Sequence, residues 1–441
     1  MNPSEYLKKN RAKLIKTFFC YVSFFGLGGC CNLLGSSLLD LSISLNAEFK
    51  EVSGLVPSRS IGYLIGAVFS GFADKFVGPD MVLFLTNFTA GIFIALAPWF
   101  KQFEGVYACL LLSGISQGIF DIYTNTYTLA IWGDKATNYV QILHGSFGLG
   151  ALITPLVIKP FLLPLVQNEG NETQSDAFLG DYTPDDVMVQ YPFIIIGVLL
   201  IFASIGFLVF YFKERSSEKD IQSIDVKSDV NHPTWKIVVC LTTLALTANV
   251  TFGVEVLIGS LAPSFVVISD LKMSKQDGAN MVAMFWSLFT FYRLFFIAAT
   301  NCIKERYMMY FNYCIMMTAV VLMCISGAYN QTIAWISIAL LGIGFSPTFS
   351  ASLGLLQRYI NITNKYASVI FITAAVGESI HPWIVSRFMD SMPAIFIYYT
   401  AAVSFGQLAL CFILPFILKS IFRKGIKLPL DRSASIRSSQ R

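Results

Sequence analysis

Charge is what this chain has least of. Asp, Glu, Lys and Arg make up 13% of its 441 residues, about half the share in a soluble domain. With 55% hydrophobic residues and a mean hydropathy of +0.63, that excludes a water-soluble enzyme or binding module of this length. Histidine is nearly absent: only His144, His232 and His381 occur, and no pair has metal-ligand spacing, so no metal site is expected. The nine cysteines (20, 30, 31, 109, 240, 302, 314, 324, 411) include no CxxC pair and no secreted-type framework. They read as reduced, buried small hydrophobes. There is no GxGxxG, Walker A loop, nucleophile elbow or H-E-x-x-H, which leaves no basis for an enzyme, an ATP-driven pump or a bound cofactor. The net charge of +4 is small and its bases gather in loops and tails, so a nucleic-acid partner is not indicated.

What the chain does have is long apolar runs. Windows of about twenty residues give twelve candidate spans: 17–40, 56–74, 81–100, 106–130, 140–164, 192–212, 237–262, 281–300, 308–327, 333–356, 367–388 and 394–418. The first follows a basic start, as a signal peptide would. It runs on without a small-residue cleavage site and is expected to remain as an anchor. The longest interior polar gap, 213–236, splits the spans six and six. The expected architecture is an all-α membrane protein of twelve transmembrane helices in two pseudo-symmetric six-helix bundles. Its parts are an N-terminal segment 1–16, bundles 17–212 and 237–418, the linker 213–236 and a basic tail 419–441. With the N-terminus inside, cytoplasmic segments carry 23 Lys/Arg against four outside, which places both termini in the cytoplasm. The plasma membrane is the expected location. The sequons at Asn171 and Asn330 then face outward as glycosylation sites, whereas Asn361 faces inward.

Polarity within the spans is concentrated in 114–156. Gln117, Asp121 and Asn125 recur every fourth residue and share one helix face, with Gly114 and Gly118 beside them as a packing groove. A carboxylate at such depth costs several kcal/mol unless it is used. Carboxylate and amide oxygens suit the vicinal hydroxyls of a hexose; an interhelical hydrogen-bond cluster is the structural alternative. The stretch recurs weakly: Gly114 to Pro155 spans 41 positions and Gly342 to Pro382 spans 40, both ending in Gly-x4-Pro. Phe349 and Leu353 stand at the second-half counterparts of Asp121 and Asn125.

Asp40, Glu255 and Glu378 are further acids in apolar spans, and with Asp121 they are candidates for ion coupling. Arg59 and Arg293 are candidate charge partners or gates, each expected to meet an acid or backbone carbonyls. His144 is a candidate proton shuttle or packing histidine. Trp286 and Trp383 offer indole faces on which a sugar ring could stack.

Taken together, Gln117-Gly118, Asp121-x3-Asn125, Trp132-Gly133, Gln141-x2-His144, Phe147-Gly148-x-Gly150-Ala151 and Pro155-Leu156 resemble the sodium-dependent glucose transporter branch of the major facilitator superfamily. That branch is related to bacterial fucose:proton symporters. Leu38-Leu39-Asp40-Leu41, Gly253-x-Glu255, Ser346-Pro347 and Gly377-Glu378 extend the likeness over roughly 25–383. Asp74-Lys75 survive from the superfamily's loop motif after the second span, with Ser70 in place of its first glycine. Asp74 is thus a candidate gating residue. Tyr123-Thr124 stand where family members tend to have glycines, which implies a reshaped pocket. The resemblance implies a monomeric secondary active transporter of a hexose-like solute, coupled to Na+ or H+. The alternatives are an ion-independent facilitative carrier and a non-transporting receptor or scaffold of the same fold.

Overall fold

The structure is a computed structural model, and it describes residues 10–70, 77–132, 136–164, 182–214, 233–299, 302–303, 305–357, 360 and 364–421. Among the described residues each apolar window falls mainly on helix. The first half holds α1 (Arg11–Leu45), α2 (Leu55–Phe69), α3 (Pro79–Leu96), α4 (Phe103–Trp132), α5 (Ala136–Ile158) and α6 (Gln190–Glu214). The second holds α7 (Thr234–Ile268), α8 (Lys275–Ala299), α9 (Glu305–Leu322), α10 (Gln331–Phe345), α11 (Thr348–Gln357), α12 (Asn364–Met389) and α13 (Ile395–Ile421). Among the described residues ten helices are long and apolar enough to cross a membrane. The chain is therefore a multi-pass integral membrane protein. The tenth window is broken at Ser346-Pro347 into α10 and α11.

Glycine sets how closely these helices approach. On α2, Gly62 and Gly66 lie against the Leu111 and Ile115 carbonyls of α4; in return Gly114 and Gly118 of α4 lie against the Arg59 and Tyr63 carbonyls of α2. A Cβ at any of the four would collide with backbone, so the groove expected at Gly114 and Gly118 is one half of a reciprocal interlock. The repeated Gly-x4-Pro does the same job in both halves. Gly150 of α5 meets the Phe25 carbonyl of α1, and Gly377 of α12 meets the Asn249 carbonyl of α7.

Proline inside a helix leaves the carbonyl four residues earlier without its donor. In lipid that group must find another. Pro155 strands the Ala151 carbonyl, which receives Asn32 Nδ2 from α1 at 2.7 Å. Pro347 strands the Ile343 carbonyl, which receives Asn312 Nδ2 from α9 at 3.2 Å.

The outer surface is apolar, with Phe202, Phe212, Ile325 and Phe416 each at least 64% exposed, as lipid contact requires. The cysteines depart from expectation in part: all nine are unpaired, but Cys302, Cys314 and Cys324 are exposed. Cys314 and Cys324 fall in the span 308–327, where lipid tolerates a small apolar thiol as readily as the core does, and Cys302 lies in the connection between α8 and α9.

Candidate functional site

The α2–α4 interlock brings two polar ladders side by side. Arg59 and Tyr63 stand one turn apart on α2; Gln117, Asp121 and Asn125 stand one turn apart on α4. Arg59 Nη1 donates to Gln117 Oε1 at 2.9 Å, and Gln117 Nε2 donates to Ser113 Oγ at 2.9 Å. Gln117 is 1% exposed, so both ends of its amide are spent inside the protein. One turn on, Tyr63 donates its hydroxyl to Asp121 Oδ2, while Asn125 Nδ2 donates to Asp121 Oδ1 at 2.9 Å. Asp121 and Asn125 are only half-buried. The stripe therefore divides: its buried turn ties helices together, and its Asp121–Asn125 turn keeps access to space. Thr124 is buried and bonded to the Phe120 carbonyl at 2.7 Å, away from that space.

The second half brings its own charges toward this point. Glu378 on α12 lies within electrostatic reach of Arg59 and Asp121, and Glu255 on α7 within reach of Glu378 and Arg293. Neither acid forms a hydrogen bond or ion pair among the described residues, although Glu255 is 7% and Glu378 9% exposed. Arg293 on α8 donates from Nη2 to the Ser346 carbonyl at 3.1 Å, beside the Pro347 break, and its guanidinium lies 4.6 Å from the Phe289 ring centre. Both arginines thus carry structural bonds while keeping one buried nitrogen, Arg59 Nη2 and Arg293 Nε, without a partner among the described residues. His144 is half-buried, packs edge-on against Phe24 at 5.9 Å and lies within the field of Arg293. At the counterpart of Asp121, Phe349 instead packs with Phe252 at 5.2 Å and with Phe371.

Asp40 does not join this group. It is fully buried at the far end of α1, ion-paired with Lys275 of α8 and accepting the Leu163 backbone N–H at 2.9 Å. Lys159, in the turn that follows α5, donates to Asn280 of α8 at 3.2 Å, at the same end of the molecule. These are the hydrogen bonds that join the two halves among the described residues. At the opposite end, among the described residues, Lys16 pairs with Asp80 at 2.9 Å, Tyr127 donates to Asp80 at 2.6 Å, and Trp132 donates to Thr17 at 2.8 Å, all within the first half.

Trp286 is 2% exposed in a cluster with Phe147, Phe285 and Phe289. Trp383 lies elsewhere. It is 49% exposed on the stripe that carries Ile380, about 140° around α12 from Glu378 at 100° per residue. Asn330 is exposed and caps α10 through Oδ1, which accepts from the Ile333 N–H at 3.1 Å; a glycan would use the other amide atom, Nδ2. Asp74 and Asn171 lie outside the described residues.

Four residues of these networks were not singled out from sequence. Tyr63 sits four residues after Arg59, a spacing that could have flagged it. Asn32 and Asn312 meet their carbonyls 119 and 31 positions away, and Lys275 meets Asp40 at a separation of 235; no local pattern announces such pairs.

Comparison with known proteins agrees with this geometry. The family model described as Major Facilitator Superfamily matches residues 19–382. The chain is 25% identical over 384 residues to sodium-dependent glucose transporter 1 of Homo sapiens, covering 84% of this chain and 73% of that protein. It is 26% identical to the Xenopus laevis protein of the same name, covering 86% and 77%. The fold also superposes on a D-xylose-proton symporter with a TM-score of 0.63 at 12% identity, covering 92% of this chain and 97% of that one. The match spans both halves, the interlocked glycines and the broken tenth span: this chain belongs to the major facilitator superfamily.

Proposed function

We propose that the protein carries a hexose-like solute across the membrane by alternating access of its two halves, coupled to Na+ or H+. The observation that carries this reading is Asp121: a half-buried carboxylate held by Tyr63 and Asn125, without an ion pair among the described residues, facing Glu378 from the other half. Such a group is expensive in a membrane protein unless ligand or ion compensates it. The names of the relatives, two of them glucose transporters, support the solute class.

In this reading Asp121 and Asn125 bind the solute. Asp121, Glu255 and Glu378 form the coupling set, and Arg59 and Arg293 offset their charge from either side of the cleft. Asp40 belongs to a latch instead, since Lys275 already neutralises it. The latch and the Lys159–Asn280 bond hold the halves together at one end, and charge bias assigns that end to the outside. Among the described residues no hydrogen bond joins the halves at the other end, which supports a state open toward the cytoplasm, where both termini lie. The protein works as a monomer in the plasma membrane.

The test is uptake of labelled D-glucose into proteoliposomes under a sodium or proton gradient, wild type against Asp121→Asn. The variant is expected to lose at least about tenfold of gradient-driven uptake, equivalent to about 1.4 kcal/mol. Equal gradient-driven uptake by both would remove Asp121 from coupling. Uptake indifferent to either gradient would support the facilitative alternative, and sugar binding without counterflow would support a receptor.

A further inference from the structure

Three buried polar atoms on the seam between the halves have no partner among the described residues: Asn32 Oδ1 on α1, and Trp286 Nε1 and Thr290 Oγ1 on α8. Their residues are 1%, 2% and 5% exposed. Buried polar groups are nearly always satisfied, so three orphans on one seam need a reason.

Each orphan is aimed by the structure. Asn32 gives its Nδ2 to the Ala151 carbonyl stranded by Pro155, which fixes the amide so that Oδ1, an acceptor only, faces α7. The Trp286 ring is held by Phe147, Phe285 and Phe289, with centroids 5.2–5.9 Å away. Thr290 follows one turn later on the same face of α8.

Each orphan also faces a glycine. A Cβ at Gly259 would collide with Asn32 Oδ1 and lie 3.7 Å from Trp286 Nε1; a Cβ at Gly148 of α5 would collide with Thr290 Oγ1. The acceptor and the donor thus flank one Gly259, close enough for a single small group to meet both.

We infer that Asn32, Trp286 and Thr290 form a hydroxyl-binding wall, exposed when the seam α1–α7 and α5–α8 parts. The inference rests on the proposed carrier function and names what that function selects. A hydroxyl donates and accepts at once, so one hydroxyl satisfies Asn32 Oδ1 and Trp286 Nε1 together, and a second hydroxyl meets Thr290 in either role. A carboxylate would meet the Asn32 oxygen as a repulsive neighbour, and an ammonium would meet the indole N–H in the same way. The wall therefore selects a neutral polyol, while the carboxylates around Asp121 supply the coupling. In the present state the wall is covered by the closed end of the seam, so it serves the state open on the Asp40 side.

The experiment is proteoliposome uptake of D-glucose and of each of its monodeoxy derivatives by wild type, Trp286→Phe and Thr290→Val, with thermal unfolding of each protein alongside. Thr290→Val keeps the shape and removes only the hydroxyl, whereas Trp286→Phe removes the N–H together with the five-membered ring. Each variant is expected to raise KM for D-glucose by up to about tenfold, the loss of one neutral hydrogen bond, and to treat one particular deoxy sugar as wild type does. Because Thr290→Val removes an unpaired hydroxyl without leaving a cavity, it should leave unfolding unchanged or move it upward, whereas a hydroxyl with a structural role would lower it when removed; Trp286→Phe is read on the sugar set alone. Equal losses across the whole sugar set, or none, would overturn the wall. If wild type itself transports no hexose, the carrier reading fails first and the wall with it. If wild type transports and the variants match it, the wall alone fails.

Discussion

Asn32 reaches from α1 to the carbonyl of Ala151 on α5, the oxygen that Pro155 leaves without a helical donor. Asn312 does the same for Ile343 ahead of Pro347. Each proline bends a helix in lipid at no cost in unsatisfied backbone because a neighbouring amide fills the gap.

The Asn312 bond is testable free of the candidate site. Asn312→Leu strands a buried carbonyl and also removes the acceptor for Tyr292 at 2.5 Å, which is expected to cost about 1–3 kcal/mol. In a Pro347→Ala background an N–H is restored to the Ile343 carbonyl, so the same substitution should cost less. Thermal unfolding of the four proteins in detergent closes the cycle; strictly additive losses would show that the bond does not answer the proline.

The glycine interlock makes a sharper prediction. Gly118→Val drives two methyls into the Tyr63 carbonyl region and should cost at least about 1–3 kcal/mol, as overpacking does. Gly354→Ala, with nothing within 4 Å of its Cβ, should leave unfolding unchanged or move it upward, as alanine does inside a helix. Fluorescence-detected size exclusion after heating distinguishes the two.

For the Asp40–Lys275 latch, Lys275→Met leaves a fully buried carboxylate without its cation. A loss of about 3–5 kcal/mol is expected, and Asp40→Asn on top of it should recover part of that loss. The double variant, lacking the latch, should also raise labelling of seam cysteines introduced at the Asp40 end by impermeant thiol reagents. Unchanged labelling would mean that the pair does not hold that end shut.

Orientation has its own check. Asn171→Gln and Asn330→Gln should each remove one glycosidase-sensitive step in electrophoretic mobility, and Asn361→Gln none. A glycan at Asn361 would invert the topology.

Much of this was legible because lipid imposes simple arithmetic. Span lengths, the six-and-six split and the Gly114–Gly118 groove follow from runs of apolar residues and from small residues at helical spacing, which are local patterns. Gln117 shows where the local view stops. Its place on the Asp121 stripe is plain from period alone, yet Arg59, 58 positions away, consumes its oxygen. Trp383 shows the same limit, since only the tertiary structure says that its face of α12 turns outward.

By itself the sequence determined that this is a twelve-span membrane protein with a carboxylate and an asparagine one turn apart in a glycine-lined helix. Periodicity and hydropathy act within one helix and need no partner. The tertiary structure decided which polar groups are spent and which stay available: Gln117 and Asp40 are paired across long separations, while Asp121, Glu255 and Glu378 are brought together without ion pairs among the described residues. Those outcomes depend on which helices meet, and that is set by backbone contacts at Gly62, Gly66, Gly114, Gly118, Gly150 and Gly377, where the missing Cβ lets one helix touch another.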